Sequence, residues 1–416
     1  MKPINKTFQY DNGLTLLYEE MNWSASFAIM VVVPAGPVWD APDKSGNACL
    51  TGKMTRRGAG EYDKHALLEM IQDLGVGTST SVTNDGIAFR ATGLIDNWER
   101  SFELLALQIR EPLFPVEEFE GSQRSLLHDI RADEDEPEEK VFQALTKILM
   151  PDPWGRPGYG SIDSVEKLTL DDVRSFYRRC YRPNGAIISV AGRMDWDRVK
   201  EKVGELFGDW EPREVEPFET RDSDVATRHI NEDVAQTHIC LGHRSIPRGH
   251  PDFWRMEAGM EVLGGSMSSR LVTEVREKRG LCYAIGASHY SYGSHGVATY
   301  YCGTTFKKAQ QSLDVIIDEI DKLSEIPITS SELERMKVRR KSAIVMERES
   351  ALCRVYSMWE DWLSYKRIYS LEETLEIFDK MTCAEIEGFY AARPRCKFRL
   401  ATIGPEPLVI PEDRLL

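Results

Sequence analysis

The chain has 416 residues, enough for two or more full hydrophobic cores, since a single core stops growing at roughly 250 to 300 residues. Its 42% hydrophobic and 29% charged residues are ordinary for a globular protein, and 52 Lys+Arg against 67 Asp+Glu give a formal net charge of -15. That sign argues against a nucleic-acid partner and against an anionic membrane surface. The eight cysteines, at 49, 180, 240, 282, 302, 353, 383 and 396, form no C-x-x-C pair. This spacing fits a reducing compartment with mostly buried free thiols.

From the amino end, Met1-Lys2-Pro3-Ile4-Asn5-Lys6 enters a strand-like segment without an apolar signal core. The apolar run Phe27 to Ala35 is too short to span a bilayer, and Phe27 to Val33 predicts a strand buried on both faces. A cytoplasmic protein with no membrane segment is expected. Next comes Gly46-Asn47-Ala48-Cys49-Leu50-Thr51-Gly52-Lys53-Met54-Thr55-Arg56-Arg57-Gly58. His65 and Glu69 follow, four apart on one helical face and read as a solvated helix edge. Gly77-Thr78-Ser79-Thr80-Ser81 predicts a Ser/Thr-rich strand, read either as an edge that accepts a peptide by backbone pairing or equally as no more than an exposed edge.

Phe114 to Phe119 opens a long amphipathic helix that contains Asp129. The acidic run Asp133 to Glu139 predicts a solvated helix-entry loop, with an acidic lip for basic peptides as the sharper reading. His238 and His243, five apart in a strand-like segment, are expected on opposite faces and do not make a metal clamp. Cys49 lacks any sign of the depressed pKa and oriented base that a nucleophile needs, and reads as a small buried thiol.

An internal repeat organises the rest. Leu168 to Tyr177 is echoed by Met381 to Tyr390, 213 residues on, and Phe114 to Phe119 by Ile328 to Leu333, 214 residues on. Each copy closes with a strand, Ala186 to Gly192 and Lys397 to Gly404. Agreement over this distance implies duplicated domains. Each copy reads as α+β, strands and helices giving an antiparallel-rich sheet with helices packed on it. The expected division is 1–212, a polar and proline-bearing linker 213–225, and 226–416. Ser or Thr caps followed by acids mark helix starts at Thr329-Ser330-Ser331-Glu332 and Ser370-Leu371-Glu372-Glu373.

The stretch from Gly46 to Gly58 resembles the zinc motif of the M16 (pitrilysin and insulinase-like) peptidases, in which Gly-x-Ala leads into His-x-x-Glu-His and then Met-x-x-Lys/Arg-Gly. In this chain the five motif positions read Cys49-Leu50-Thr51-Gly52-Lys53. Leu74-Gly75 resembles the family's Leu-Gly-Gly turn, Ser79 and Thr80 stand where an Asn-Ala pair is common, and Asp129 in Leu127-His128-Asp129-Ile130 takes the place of the third ligand, a Glu. Zinc needs neutral imidazole, thiolate or carboxylate donors, and an ammonium at a ligand position repels the cation. Gly52 replaces the general base. The resemblance therefore implies a degenerate metal motif at Cys49, Gly52, Lys53 and Asp129, with no metal bound by this chain.

Further on, Leu263-Gly264-Gly265-Ser266-Met267-Ser268-Ser269-Arg270-Leu271 and its continuation through Arg276 and Gly280 to Tyr283 is very similar to the family's C-terminal-domain signature. Ser268 and Ser269 are expected to cap a helix, and Gly280 to end it. In the family an Arg and a Tyr at this spacing face the zinc from the opposite half of a clamshell, hold the substrate backbone and stabilise the developing oxyanion. The resemblance thus implies half of a clamshell, with Arg276 and Tyr283 as accessory substrate-directed residues. Zinc is expected on a homologous catalytic partner carrying His-x-x-Glu-His, and peptides are the expected substrates. A catalytically inactive structural or peptide-binding scaffold, self-associating as a homodimer, is the competing reading; a rebuilt metal site is a third, opposed by Lys53 and Gly52.

Overall fold

The computed structural model describes residues 4–214, 217–393 and 395–416. The interdomain stretch expected at 213–225 includes Val215 and Glu216, which lie outside the described residues, as do Met1 to Pro3. The strands are β1 (Ile4–Gln9), β2 (Thr15–Glu20), β3 (Ser26–Val33), β4 (Gly58–Ala59), β5 (Tyr62–Asp63), β6 (Gly77–Thr83), β7 (Gly86–Leu94), β8 (Ile187–Gly192), β9 (Thr227–Asn231), β10 (Thr237–Ser245), β11 (Cys282–Tyr292), β12 (His295–Thr304) and β13 (Arg399–Gly404). In the first half the helices are α1 (Asn47–Met54), α2 (Lys64–Asp73), α3 (Trp98–Arg110), α4 (Val116–Asp135), α5 (Pro137–Leu149), α6 (Ile162–Val165), α7 (Leu170–Cys180) and α8 (Trp196–Phe207). The second half holds α9 (Phe253–Gly264), α10 (Phe306–Glu325), α11 (Ser330–Glu347), α12 (Ala351–Tyr365), α13 (Leu371–Lys380) and α14 (Cys383–Ala391).

Two mixed sheets carry the fold. The first runs β1-β2-β8-β3-β7-β6 and the second β11-β12-β10-β13-β9. In each, one pair is parallel, β2 with β8 and β9 with β13, and the other pairs are antiparallel. Read from the opposite edge, the second sheet repeats the order β2-β8-β3-β7-β6, so the duplication seen in the sequence extends to sheet topology. Local signals repeat too. Thr169 and Asp172 form a capping box at the start of α7, and Thr382 and Glu385 form another at the start of α14, 213 residues on.

Strand β3 is buried from Phe27 through Val33, as its unbroken apolar run predicts. Phe27, Ile29, Val31 and Val33 join a core with Phe102 and Ile109 of α3 and Val199 and Phe207 of α8, whereas Ala28, Met30 and Val32 join one with Ala351, Val355 and Met358 of α12. Period-two alternation with apolar residues at both phases is what a strand covered on both faces requires.

The compact units do not follow the expected contiguous halves. One unit comprises residues 1–131, 156–219 and 345–371, and the other 132–155, 220–344 and 372–416. Helix α12, encoded in the second half, thus covers the first sheet, and α5, encoded in the first half, covers the second through Val141, Leu145 and Ile148 against Cys240, Ala401 and Ile403. The physical reason is that each sheet has a second apolar face, and the amphipathic helix that fills it comes from the other copy. Helix α12 is also fixed by charge. Arg354 donates to both carboxylate oxygens of Glu19 on β2, at 2.8 Å through Nε, and each side chain is 1% exposed.

Candidate functional site

In the first unit, helix α1 carries the degenerate motif. Its amino end is set by Asp40, whose carboxylate accepts the Gly46 and Ala48 N–H groups, each at 2.8 Å, while Gly46 adopts φ +95°. Burial, opposed by these two hydrogen bonds and by Arg156 and Arg179, raises the Asp40 pKa to about 7. Every residue of α1 except Lys53 is buried.

Lys53 reaches across to α4. Its Nζ lies 2.7 Å from Asp129 Oδ2 and 3.2 Å from Ser125 Oγ, and one turn further Arg57 Nε donates to Ser122 Oγ at 3.0 Å. Residues 122, 125 and 129 lie on one face of α4, so two cations four residues apart bind successive turns of it. Cys49 sits beside them, 4% exposed. Burial drives its thiol up to about 12, with Lys53 pulling it down and Asp129 and Asp40 pushing it up. The structure therefore brings Cys49, Lys53 and Asp129 into one electrostatic neighbourhood.

This donor set does not fit zinc. The Lys53 ammonium already neutralises the Asp129 carboxylate, and a buried thiol held protonated supplies no thiolate. Among the described residues no group of three or more His, Cys, Asp or Glu side chains is placed to hold a metal ion. Gly52 offers no proton acceptor. A methyl group added there would stand 3.5 Å from Ile87 Cγ2 and 3.7 Å from Thr80 Cγ2, an ordinary contact. Thr80 thus flanks the degenerate motif from β6, an edge strand paired only with β7, where Ser79 lies opposite Arg90 and Thr80 opposite Phe89.

In the second unit, residues Val272–Glu277 form a π-helical turn and not the α-helix expected there. Lys278 N–H donates to Thr273 O, five residues back, at 2.9 Å, and Gly280, at φ +58°, closes the turn by donating to Arg276 O at 3.0 Å. Gly280 ends the helix as expected. Ser268 and Ser269 do not cap it: Ser266 and Ser268 hydroxyls face each other at 3.4 Å, and the Ser269 hydroxyl is buried without a partner among the described residues. The turn that carries them is shaped by Gly264, where an added Cβ would come within 2.5 Å of Ala287 N on β11.

The π turn leaves Arg276 exposed, with no side-chain hydrogen bond or ion pair among the described residues. Tyr283, 62% exposed, is equally free. It is the extra residue of a β-bulge: Cys282 pairs with Thr304 and Ala284 with Gly303, so Tyr283 has no cross-strand partner. Bulges re-aim side chains, and this one turns a phenol outward between the buried Cys282 and the rest of β11. Two strong donors, seven residues apart, are thus presented unspent.

Along the same strand runs a groove of about 590 Å³ between α5 and β11–β12, lined by Phe142, Leu145, Tyr290, Tyr292 and Tyr301. Of the acidic run, only Glu138 and Glu139 line it, and the run is mostly helical, ending α4 and starting α5 around Glu136. His238 and His243 hydrogen-bond with Tyr301 and Tyr300, neighbours on β12, and so lie on opposite sheet faces. His65 and Glu69 are exposed on α2. The pairing of Lys53 with Asp129 carries no sequence signal, and the two positions read there as separate losses. The role of Asp40 has one, an Asp six residues ahead of a helix-starting glycine, whereas the Tyr283 bulge has none short of the strand register.

A family model described as Insulinase (Peptidase family M16) matches residues 15–160, and one described as Peptidase M16 inactive domain matches residues 167–339. An uncharacterized zinc protease of Bacillus subtilis is 25% identical over 402 residues, covering 96% of this chain and 98% of its own. Another, of Rickettsia felis, is 25% identical over 377 residues, covering 90% and 91%. The crystal structure of a peptidase M16 inactive domain from Pseudomonas fluorescens superposes with a TM-score of 0.88 at 20% identity, over 98% of this chain and 100% of that one. The fold is thus that of the M16 N- and C-domains, and the chain belongs to the M16 family of zinc-peptidase homologues, in a form whose zinc-motif positions hold an internal ion pair.

Proposed function

We propose that this chain is the non-catalytic subunit of a heterodimeric M16-type zinc peptidase that cleaves unfolded peptides in a reducing compartment such as the cytoplasm. The observation that carries this reading is the contrast between its two half-sites. The zinc-motif positions are closed by Lys53–Asp129, while Arg276 and Tyr283 remain exposed and unspent. A protein that used neither half-site would have no need of a π turn and a bulge to keep two donors free of internal partners.

In this scheme zinc and the His-x-x-Glu-His motif belong to a homologous partner. This chain contributes binding and orientation. The Arg276 guanidinium donates to a substrate carbonyl, and the Tyr283 phenol donates to the oxygen on which negative charge grows, so both act more strongly in the transition state than in the ground state. The β6 edge at Ser79 and Thr80 offers backbone groups for an extended peptide.

Affinity capture of the tagged full chain from its source cells, with mass-spectrometric identification, tests this reading. Recovery of a similar-sized chain carrying His-x-x-Glu-His is the expected result. Recovery of this chain alone, as a dimer, overturns it in favour of a scaffold.

A further inference from the structure

Two cysteines have no part in the scheme above. Cys282, 8% exposed, and Cys302, fully buried, point to the same side of the β11–β12 pair and share one core with α9 and α10. Cys282 lies opposite Thr304 and Cys302 opposite Ile285, which makes them diagonal neighbours across the strand pair, with the Tyr283 bulge between the two rungs. Each thiol is the largest influence on the other's acidity.

The two sulfurs are unequal. The neighbouring Cys302 thiol holds the Cys282 thiol below its usual range; burial opposes this and the Arg276 guanidinium reinforces it. Its neighbour Cys282, then burial, raises Cys302. Elsewhere burial alone dominates, and Cys49 and Cys180 are driven up to about 12 and about 11. A buried thiol within electrostatic reach of a guanidinium, with a second thiol diagonal to it across the strand pair, can supply an attacking and a resolving cysteine.

We propose that Cys282 and Cys302 are an oxidisable dithiol that a peroxide converts into a cross-strand disulfide beside Tyr283. The Cys282 thiolate attacks one oxygen of hydrogen peroxide, the O–O bond breaks, and the departing hydroxide takes up the proton that left Cys282, giving water and a sulfenic acid. The Cys302 sulfur then attacks the Cys282 sulfur, the S–O bond breaks, and the hydroxyl leaves as a second water with the Cys302 proton. Two thiols are oxidised by two electrons in all, and one peroxide is reduced to two waters. The bond ties β11 to β12 at the bulge that aims Tyr283. Its effect on peptide turnover rests on the role proposed for Tyr283, whereas the oxidation itself does not.

The test uses the full chain treated with hydrogen peroxide, unfolded in a thiol-alkylating reagent, digested and mapped by mass spectrometry. A linked pair of peptides containing Cys282 and Cys302, separated by dithiothreitol, is expected. In Cys302→Ala the resolving thiol is gone, and dimedone should label Cys282 as a sulfenic acid. Alkylation of both Cys282 and Cys302 as free thiols, with oxidation confined to the exposed Cys353, would overturn the proposal. If Cys302→Ala does not fold, the wild-type map decides alone, and neither result depends on what affinity capture recovers.

Discussion

Lys53 on α1 and Asp129 on α4 form an ion pair, Nζ to Oδ2 at 2.7 Å, at two of the positions where the resemblance to the M16 motif would place metal ligands. The lysine ammonium neutralises the Asp129 carboxylate and ties α1 to α4. With side chains 25% and 37% exposed, the pair contributes only about 1 kcal/mol or less to stability, and it occupies Asp129 with a cation already.

Rebuilding the donor set should therefore restore the metal. The variant Cys49→His, Gly52→Glu, Lys53→His, Asp129→Glu is expected to retain one zinc per chain after dialysis, measured by elemental analysis, and the unaltered chain none. Space at Gly52 is adequate for the first carbon of a side chain. Zinc retention by the unaltered chain, at a site lost on Cys49→Ala, would show that the reading of this site is wrong.

Glu19 and Arg354 provide the sharpest stability test, because both are 1% exposed. Removing Arg354 leaves Glu19 with the longer contact to Arg348, 3.6 Å away, so Arg354→Met should cost about 3 kcal/mol in urea unfolding, at the low end for a broken buried pair. The double variant Glu19→Leu, Arg354→Met should recover most of that loss. A single variant within about 1 kcal/mol of the parent would mean that the pair does not hold α12 in place.

Glu332 predicts a pH dependence. Burial pushes its carboxyl up, but hydrogen bonds from Arg270, at 2.8 and 3.2 Å, and from Thr329 hold it down at about 2. A carboxyl depressed on folding stabilises the fold fully above its unfolded pKa near 4.5 and loses that contribution as pH falls from there towards 2. Arg270→Ala should lower stability at pH 7 by about 2 kcal/mol and flatten the acid limb below pH ~4.5. An unchanged acid limb would assign the acid sensitivity to other groups.

What could be read from the sequence was local or periodic. The capping boxes at Thr169 and Thr382 involve residues three apart, so the repeat that exposes them needs no tertiary information. The unbroken apolar run of β3 announces burial on two faces, but not which helix covers each. The division at 213–225 therefore leaves α5 and α12 in the halves that encode them: amphipathicity gives the apolar side of a helix, not the sheet that receives it. Glu19 and Arg354, 335 residues apart, carry no mutual signal. The widened turn before Gly280 and the bulge at Tyr283 depend on hydrogen-bond register, and the sequence shows only the residues that they present.

The most direct test of the central claim is turnover of an unfolded peptide by this chain, by a His-x-x-Glu-His partner recovered with it, and by the two together. Arg276→Ala and Tyr283→Phe would be compared in the mixture. Both side chains are exposed and unpaired among the described residues, so each variant should keep the parent's stability within about 0.5 kcal/mol. The account predicts no turnover by the chain alone, and a loss of about 10²-fold or more in kcat for each variant of the reconstituted pair. Chelator-sensitive hydrolysis by this chain alone, or unchanged kcat in both variants, would contradict it.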